Sequence, residues 1–212
     1  MEPPSKEKIE ACLENFSSDT RATVESWLAK NIKFFYNEKR SLFTKYQDQE
    51  LHPLAMCELY GTVLDKIDRD GTILDLGCGV GYVLKFLTET SPFRLEPFGI
   101  EKELEKVEAV KTEILPVFKK NFEQCTYPSC KLSKKEFDFI IVSVEGADLP
   151  ALESRIRPGG KIFYNEFGDV KHKLGDAFTT KLTEMKASGY EQLPRLQRTD
   201  FPDRTIYMKK IL

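Results

Sequence analysis

The chain has 212 residues, 32 of them basic and 34 acidic, with a formal net charge of −2. That length suits one α/β domain large enough to bury most of its apolar surface, and interspersed charge without a basic block argues against nucleic acid as a partner. The chain has no apolar run of about 18 residues and opens on the polar Met1-Glu2-Pro3-Pro4-Ser5, so the expectation is a cytoplasmic protein with no membrane partner.

Residues 1–50 are expected to form an N-terminal helical extension. Ile9, Cys12, Leu13 and Phe16 recur at helical spacing, and Ser17 to Thr20 break that run and cap a second helix. Val24, Trp27, Leu28 and Ile32 make the apolar stripe of this second helix. Phe34, Phe35, Tyr36, Leu42, Phe43 and Tyr46 follow, too apolar for a surface linker. Two readings stay open: an extra layer packed on the main domain, or a lid whose Tyr36 and Tyr46 line an acceptor pocket.

The main domain is expected over 51–212. Pro53 suits the first turn of a helix, where its missing N–H costs nothing, and Leu54, Cys57, Tyr60, Val63, Leu64 and Ile67 carry the pattern to a turn ending in Gly71. Thr72-Ile73-Leu74-Asp75-Leu76 then reads as a buried parallel strand. It runs into Gly77-Cys78-Gly79-Val80-Gly81-Tyr82 and a helical pattern. A strand, a Gly-rich turn and a helix N-terminus bring bare backbone N–H groups to a nucleotide-like ligand. In a dinucleotide-binding turn the last glycine would fall at position 82, which is Tyr82. The spacing Asp75-x-Gly77-x-Gly79-x-Gly81 instead resembles the first motif of class I S-adenosylmethionine-dependent methyltransferases.

A second strand is expected to end at Gly99-Ile100-Glu101, and a carboxylate at that strand tip is placed to accept from both ribose hydroxyls of a nucleoside. Residues 102–122 read as one long helix. The third strand falls within 121–136, where relatives place an acid near the adenine; here Cys125 and Thr126 stand in that region. Phe137-Asp138-Phe139-Ile140-Ile141-Val142-Ser143-Val144 is the fourth strand, similar to the family's Phe-Asp-x-Ile run. Ligands of open α/β sheets bind beyond the carboxyl ends of the strands, which puts Ser143 to Asp148 beside the reacting group. A short helix over 152–156 and the turn Arg157-Pro158-Gly159-Gly160 precede a fifth strand, again as in that family. A last helix over 172–188 and two final strands complete the domain. The residues 131–135, though lysine-rich, read as a solvated loop. Five cysteines, at 12, 57, 78, 125 and 130, show no disulfide framework and no second ligand pair for zinc, so reduced, mostly buried thiols and no metal are expected.

The resemblance implies a Rossmann-like α/β fold: a seven-stranded sheet in the order 3-2-1-4-5-7-6, strand 7 antiparallel, flanked by helices. It implies S-adenosyl-L-methionine as cofactor, held by Asp75, Gly77, Cys78, Gly79, Gly81, Glu101, Lys102 and Ser143. The activity implied is methyl transfer to an oxygen or nitrogen nucleophile, on a small molecule first and on a protein second. Glu145, Asp148 and His52 are the candidate catalytic groups, with His172 a further base to test; Tyr164 and Asn165 join Tyr36 and Tyr46 as candidate acceptor contacts. A local likeness to protein-isoaspartate carboxyl methyltransferases, in the Pro-containing helix, the Gly-Cys-Gly-Val-Gly-Tyr turn and the fourth strand, keeps a carboxyl acceptor as an alternative. A methyltransferase-like binding subunit without chemistry is the other.

Overall fold

The computed structural model describes residues 4–14, 16–37, 53–130, 136–144, 146–167, 183–193 and 204–212. Helices α1 (Lys6–Leu13), α2 (Ser18–Asn37) and α3 (Pro53–Leu64) lead into β1 (Gly71–Leu76) and α4 (Tyr82–Thr90). Then follow β2 (Leu95–Glu101), α5 (Leu104–Ala109), β3 (Phe122–Gln124), β4 (Phe137–Val142), α6 (Leu149–Glu153) and β5 (Ile156–Phe167). A helical segment α7 (183–187) and strands β6 (Glu191–Gln192) and β7 (Arg204–Lys210) end the chain. The seven strands form one sheet in the order β3-β2-β1-β4-β5-β7-β6. The pairs among β1 to β5 are parallel and β7 runs antiparallel to both of its neighbours.

Central strands read as nearly continuous apolar runs because both of their faces are covered. Alternate side chains divide between two cores. Ile73, Phe139, Ile141 and Phe163 pack with residues of α1 to α4 on one face. Leu74, Leu76, Ile140, Val142, Ile162 and Tyr164 pack with Leu149, Leu152 and Met185 on the other. The N-terminal helices belong to the first core. Trp27 of α2 stacks edge-on against Phe86 and Tyr82 of α4, with centroids 5.0 and 6.4 Å away, and its Nε1 donates to Glu89 Oε2 at 2.9 Å. Such aromatic pairs contribute roughly 0.5–1.5 kcal/mol each beyond their burial.

Several local expectations are corrected. The helix expected over 102–122 is broken: α5 passes into a π-turn at Val110–Ile114, and a 3-10 segment follows at Pro116–Asn121. Pro116 lacks an N–H and pushes Leu115 out of helical geometry, to φ −133° and ψ 55°. The helix expected at 152–156 lies at Leu149–Glu153, because Asp148 caps it by accepting from Ala151 N at 3.1 Å and Pro150 occupies its first turn. The Arg157–Gly160 turn is a bulge inside β5, where the register with β4 jumps from Phe137↔Ile156 to Phe139↔Lys161. Most of the helix expected over 172–188, and the loop 131–135, lie outside the described residues.

The cysteine expectation changes as well. Cys125 and Cys130 are joined by a disulfide, with Cα atoms 5.5 Å apart, while Cys12, Cys57 and Cys78 are buried thiols. The turn that follows β3, closed by Ser129 N donating to Thr126 O at 2.9 Å, folds the two half-cystines together.

At the amino end of the sheet Asp138 ties three elements into one network. It is 6% exposed and its Oδ2 accepts from Thr72 N at 2.9 Å, Thr72 Oγ1 at 3.0 Å and Arg157 Nη1 at 3.0 Å. Arg69 adds a charge at 3.6 Å. Removing the carboxylate strands a buried backbone N–H and leaves two guanidinium groups without their shared anion. Asp138→Ala is therefore expected to lower stability by about 3 kcal/mol, read as a drop in the urea midpoint at unchanged m-value.

Candidate functional site

The chain leaves β1 toward β2 and β3, then crosses back to enter β4 on the other side of β1. This reversal opens a crevice beyond the carboxyl ends of β1 and β4, the place where open α/β sheets bind ligands. The turn between β1 and α4 forms its floor. Gly77, Gly79 and Gly81 all have positive φ, at 84°, 53° and 76°. At Gly77 the need is double, since a Cβ would lie 2.7 Å from Val144 Cγ1 and 3.0 Å from the Ser143 carbonyl oxygen. The N–H groups of Gly77 and Cys78 both donate to the Ile100 carbonyl, at 2.9 and 3.0 Å, which sews the turn to the end of β2.

Glu101, the last residue of β2, is 7% exposed and its carboxylate is held by backbone alone. Oε2 accepts from Gly79 N at 3.0 Å, and Oε1 from Lys102 N at 2.8 Å and Glu103 N at 3.1 Å. Of roughly four lone-pair positions on a carboxylate, one on Oε2 has no partner among the described residues. The expectation of two ribose hydroxyls on this carboxylate therefore meets three N–H groups already in place.

The crevice is a cleft of about 480 Å³ lined by Gly77, Ile100, Glu101, Lys102, Glu103, Lys106, Cys125, Thr126, Tyr127, Ser143 and Val144. Beneath it, Asp75 is 1% exposed and Ser143 bonds its carboxylate, yet its Oδ1 has no hydrogen-bond partner among the described residues. Burial, and next the negative charge of Glu101, push its pKa up to about 7, against the lowering effect of the Ser143 bond. Tyr127 lines the cleft beside Val144, and burial followed by the Asp148 charge raises its pKa.

Among the residues singled out in the sequence, Gly77, Glu101, Lys102 and Ser143 meet in the cleft, with Asp75, Gly79 and Gly81 supporting it from beneath and behind. Cys78 faces β2 rather than the cleft, where a Cβ on Gly99 would lie 2.7 Å from its Sγ, and burial pushes its thiol pKa up. Tyr164 is buried in the core of the opposite face. Asn165 is 3% exposed; its Nδ2 donates to Tyr60 Oη at 2.7 Å and its Oδ1 has no partner among the described residues. Asp148 caps α6 and lines a separate groove of about 300 Å³ beside Met185, Tyr190 and Lys209. The Tyr36 side chain, Tyr46, His52, Glu145 and His172 lie outside the described residues.

Sequence reasoning did not single out Ile100, Glu103, Lys106 or Tyr127 as cleft residues. Glu103 and Lys106 carry a usable signal, an i,i+3 pair directly after the strand-end acid, and they form an ion pair at 2.9 Å. Tyr127 carries none, because only the fold shows that the loop after β3 turns back over the cleft. Among the described residues no group of three or more His, Cys, Asp and Glu side chains could hold a metal, and no helix is long and apolar enough to cross a membrane.

No protein-family model matches the chain, and no curated protein matches it. Solved structures do. The plantazolicin methyltransferase BpumL in complex with S-adenosylhomocysteine superposes with a TM-score of 0.57 at 14% identity, over 91% of this chain and 99% of that one. The C-terminal domain of precorrin-6Y C5,15-methyltransferase from Rhodobacter capsulatus gives 0.54 at 14% identity, over 74% and 89%. Ribosomal protein L11 methylase from Lactobacillus delbrueckii subsp. bulgaricus gives 0.52 at 11% identity, over 74% and 78%. With the strand order and the antiparallel β7, these likenesses establish that the chain has the fold of the class I S-adenosylmethionine-dependent methyltransferases.

Proposed function

We propose that this protein is an S-adenosylmethionine-dependent methyltransferase acting on an oxygen or nitrogen nucleophile of a small molecule. The observation that carries the reading is the cleft at the reversal of strand order, where the Gly77 turn and the Glu101 carboxylate face one volume of about 480 Å³. The residues present suit the cofactor. The missing Cβ of Gly77 lets Ser143 and Val144 close against the turn, the Asp75 carboxyl just beneath the cleft, whose Oδ1 has no partner among the described residues, suits the charge of an ammonium group, and the remaining position on Glu101 Oε2 suits a ribose hydroxyl. Ile100, Tyr127 and Val144 supply apolar wall for a purine. The S-adenosylhomocysteine bound to BpumL, which shares the fold, supports the same reading.

When bound, S-adenosylmethionine supplies an electrophilic methyl on a sulfonium that departs readily. The chain's own contribution is then mainly position. The β1–α4 turn and Glu101 fix one partner, and the segment after β4 fixes the distance to the other, an arrangement worth several kcal/mol in effective concentration. A small acceptor is favoured by the net charge of −2, which offers no extended basic surface to a nucleic acid backbone.

Calorimetric titration should show S-adenosylmethionine and S-adenosylhomocysteine binding wild-type protein with micromolar affinity. Glu101→Ala should weaken both by about tenfold or more, and Glu101→Gln, which preserves the shape, by less. A wild-type protein that stays folded and binds neither ligand overturns the reading.

Asp75 gives a prediction of definite sign. Its folded pKa of about 7 lies above the ordinary aspartate value of 3.8, so the native state retains a proton that the unfolded chain gives up as pH rises between those values. Wild type should therefore lose stability relative to Asp75→Asn as pH goes from about 4 to about 7, by an amount on the order of 4 kcal/mol. Since a ligand ammonium favours the ionised carboxylate, S-adenosylhomocysteine affinity should rise over the same interval in wild type more than in Asp75→Asn. Urea melts and titrations at a series of pH values check both.

A further inference from the structure

The loop after β3 makes one wall of the cleft, and a covalent bond closes it. Cys125 N donates to the Glu101 carbonyl at 2.9 Å, so the loop starts from the backbone of the residue whose carboxylate fronts the cleft. Cys125, Thr126 and Tyr127 line that cleft. Tyr127 lines the same cleft as Ser143 and Val144 at the end of β4, so the loop runs from the β2 side of the opening to the β4 side. Cys130 returns to Cys125 through the disulfide, and both half-cystines and Tyr127 pack against the same apolar core as Val144. The other three cysteines are buried, and burial raises the thiol pKa of Cys57 and Cys78, which keeps them inert.

We propose that the Cys125–Cys130 cross-link is a positioning element of the cofactor cleft, holding Thr126 and Tyr127 in place, and that its reduction weakens cofactor binding. The inference rests on the methyltransferase reading above. The step is a thiol–disulfide exchange: a dithiol reductant supplies two electrons and two protons, the Cys125–Cys130 S–S bond breaks to give two thiols, and the reductant leaves as its own disulfide. With the cross-link open, binding has to order the loop at its own expense, and losing about one residue's worth of backbone order lowers affinity by about tenfold. Coupling of this kind is reciprocal. A ligand that prefers the oxidised form by about tenfold makes the disulfide harder to reduce by the same factor, about 30 mV in midpoint.

The test uses S-adenosylhomocysteine as probe on the full chain. Calorimetry compares oxidised wild type, wild type reduced with dithiothreitol, and the Cys125→Ser/Cys130→Ser double variant with and without dithiothreitol; intact mass reports the cross-link. The expected result is affinity about tenfold weaker after reduction. The double variant should bind as weakly as reduced wild type, indifferent to reductant, and saturating S-adenosylhomocysteine should lower the midpoint of the cross-link. A purely structural disulfide would change thermal stability without that midpoint shift. Equal affinity in both redox states, with the mass confirming reduction, overturns this inference and leaves the cofactor site standing. A protein whose two cysteines stay as thiols under oxidising conditions also overturns it. Absence of binding to the oxidised protein overturns the cofactor reading and this inference together.

Discussion

The turn from β1 into α4 is the constraint on which the rest of the molecule depends. Three left-handed residues in succession of two would leave several backbone N–H groups pointing away from any helix or strand, and a buried N–H without a partner costs about 1–3 kcal/mol. Two of these groups are taken by one carbonyl, that of Ile100, and a third by the carboxylate of the next residue, Glu101. The end of β2 is therefore both the neighbour of the turn and its receptor. The absent Cβ of Gly77 then lets Ser143 and Val144 close on the turn from β4. The three strands that frame the cleft meet through this one piece of backbone, so its shape sets theirs.

The Asp75-x-Gly77-x-Gly79-x-Gly81 spacing and the strand-end Glu101 were legible because backbone requirements leave few residue choices at such positions. The order of the sheet was legible because buried parallel strands are short apolar runs between turn signals. Other features were not. Val107, Val110 and Ile114 keep a helical period, and that period hid the break which Pro116 imposes. Tyr164 and Asn165 stand at the end of β5, as expected of residues near the reacting group, yet the alternation of a strand sends them to opposite faces. In a sheet covered on both sides, the local pattern does not say which face a polar residue meets. Asp148 read as a loop acid beside the chemistry and is found capping α6. Cys125 and Cys130 looked like two more thiols, since only the turn after β3 brings them together.

Tyr82 links the glycine turn to the N-terminal helices. At the position where a dinucleotide-binding turn would need glycine, the chain carries a ring that is 4% exposed. That ring packs against Trp27, and its hydroxyl faces Asn31 Oδ1 at 3.5 Å. Asn31 in turn donates to the Trp27 carbonyl at 2.8 Å. The residue that argues against a dinucleotide cofactor is therefore also the one that fastens the N-terminal helices to the start of α4. α2 thus docks on α3 and on α4, the helix whose N-terminus carries the glycine turn.

Two buried aspartates mark the opposite ends of the sheet, and their surroundings differ in kind. Asp138, at the amino end, has Thr72 and two arginines to satisfy it. Asp75, at the carboxyl end, has Ser143, one oxygen without a partner among the described residues and the like charge of Glu101 nearby. The same side chain is thus stabilising at one end and costly at the other. A fold under selection for stability alone would not keep the second arrangement, because an asparagine or a serine in that place would remove the repulsion. On the proposed function, a buried carboxyl short of partners under the cleft is one that a cationic ligand would complete, so the amino end of the sheet would hold the fold and the carboxyl end would bind.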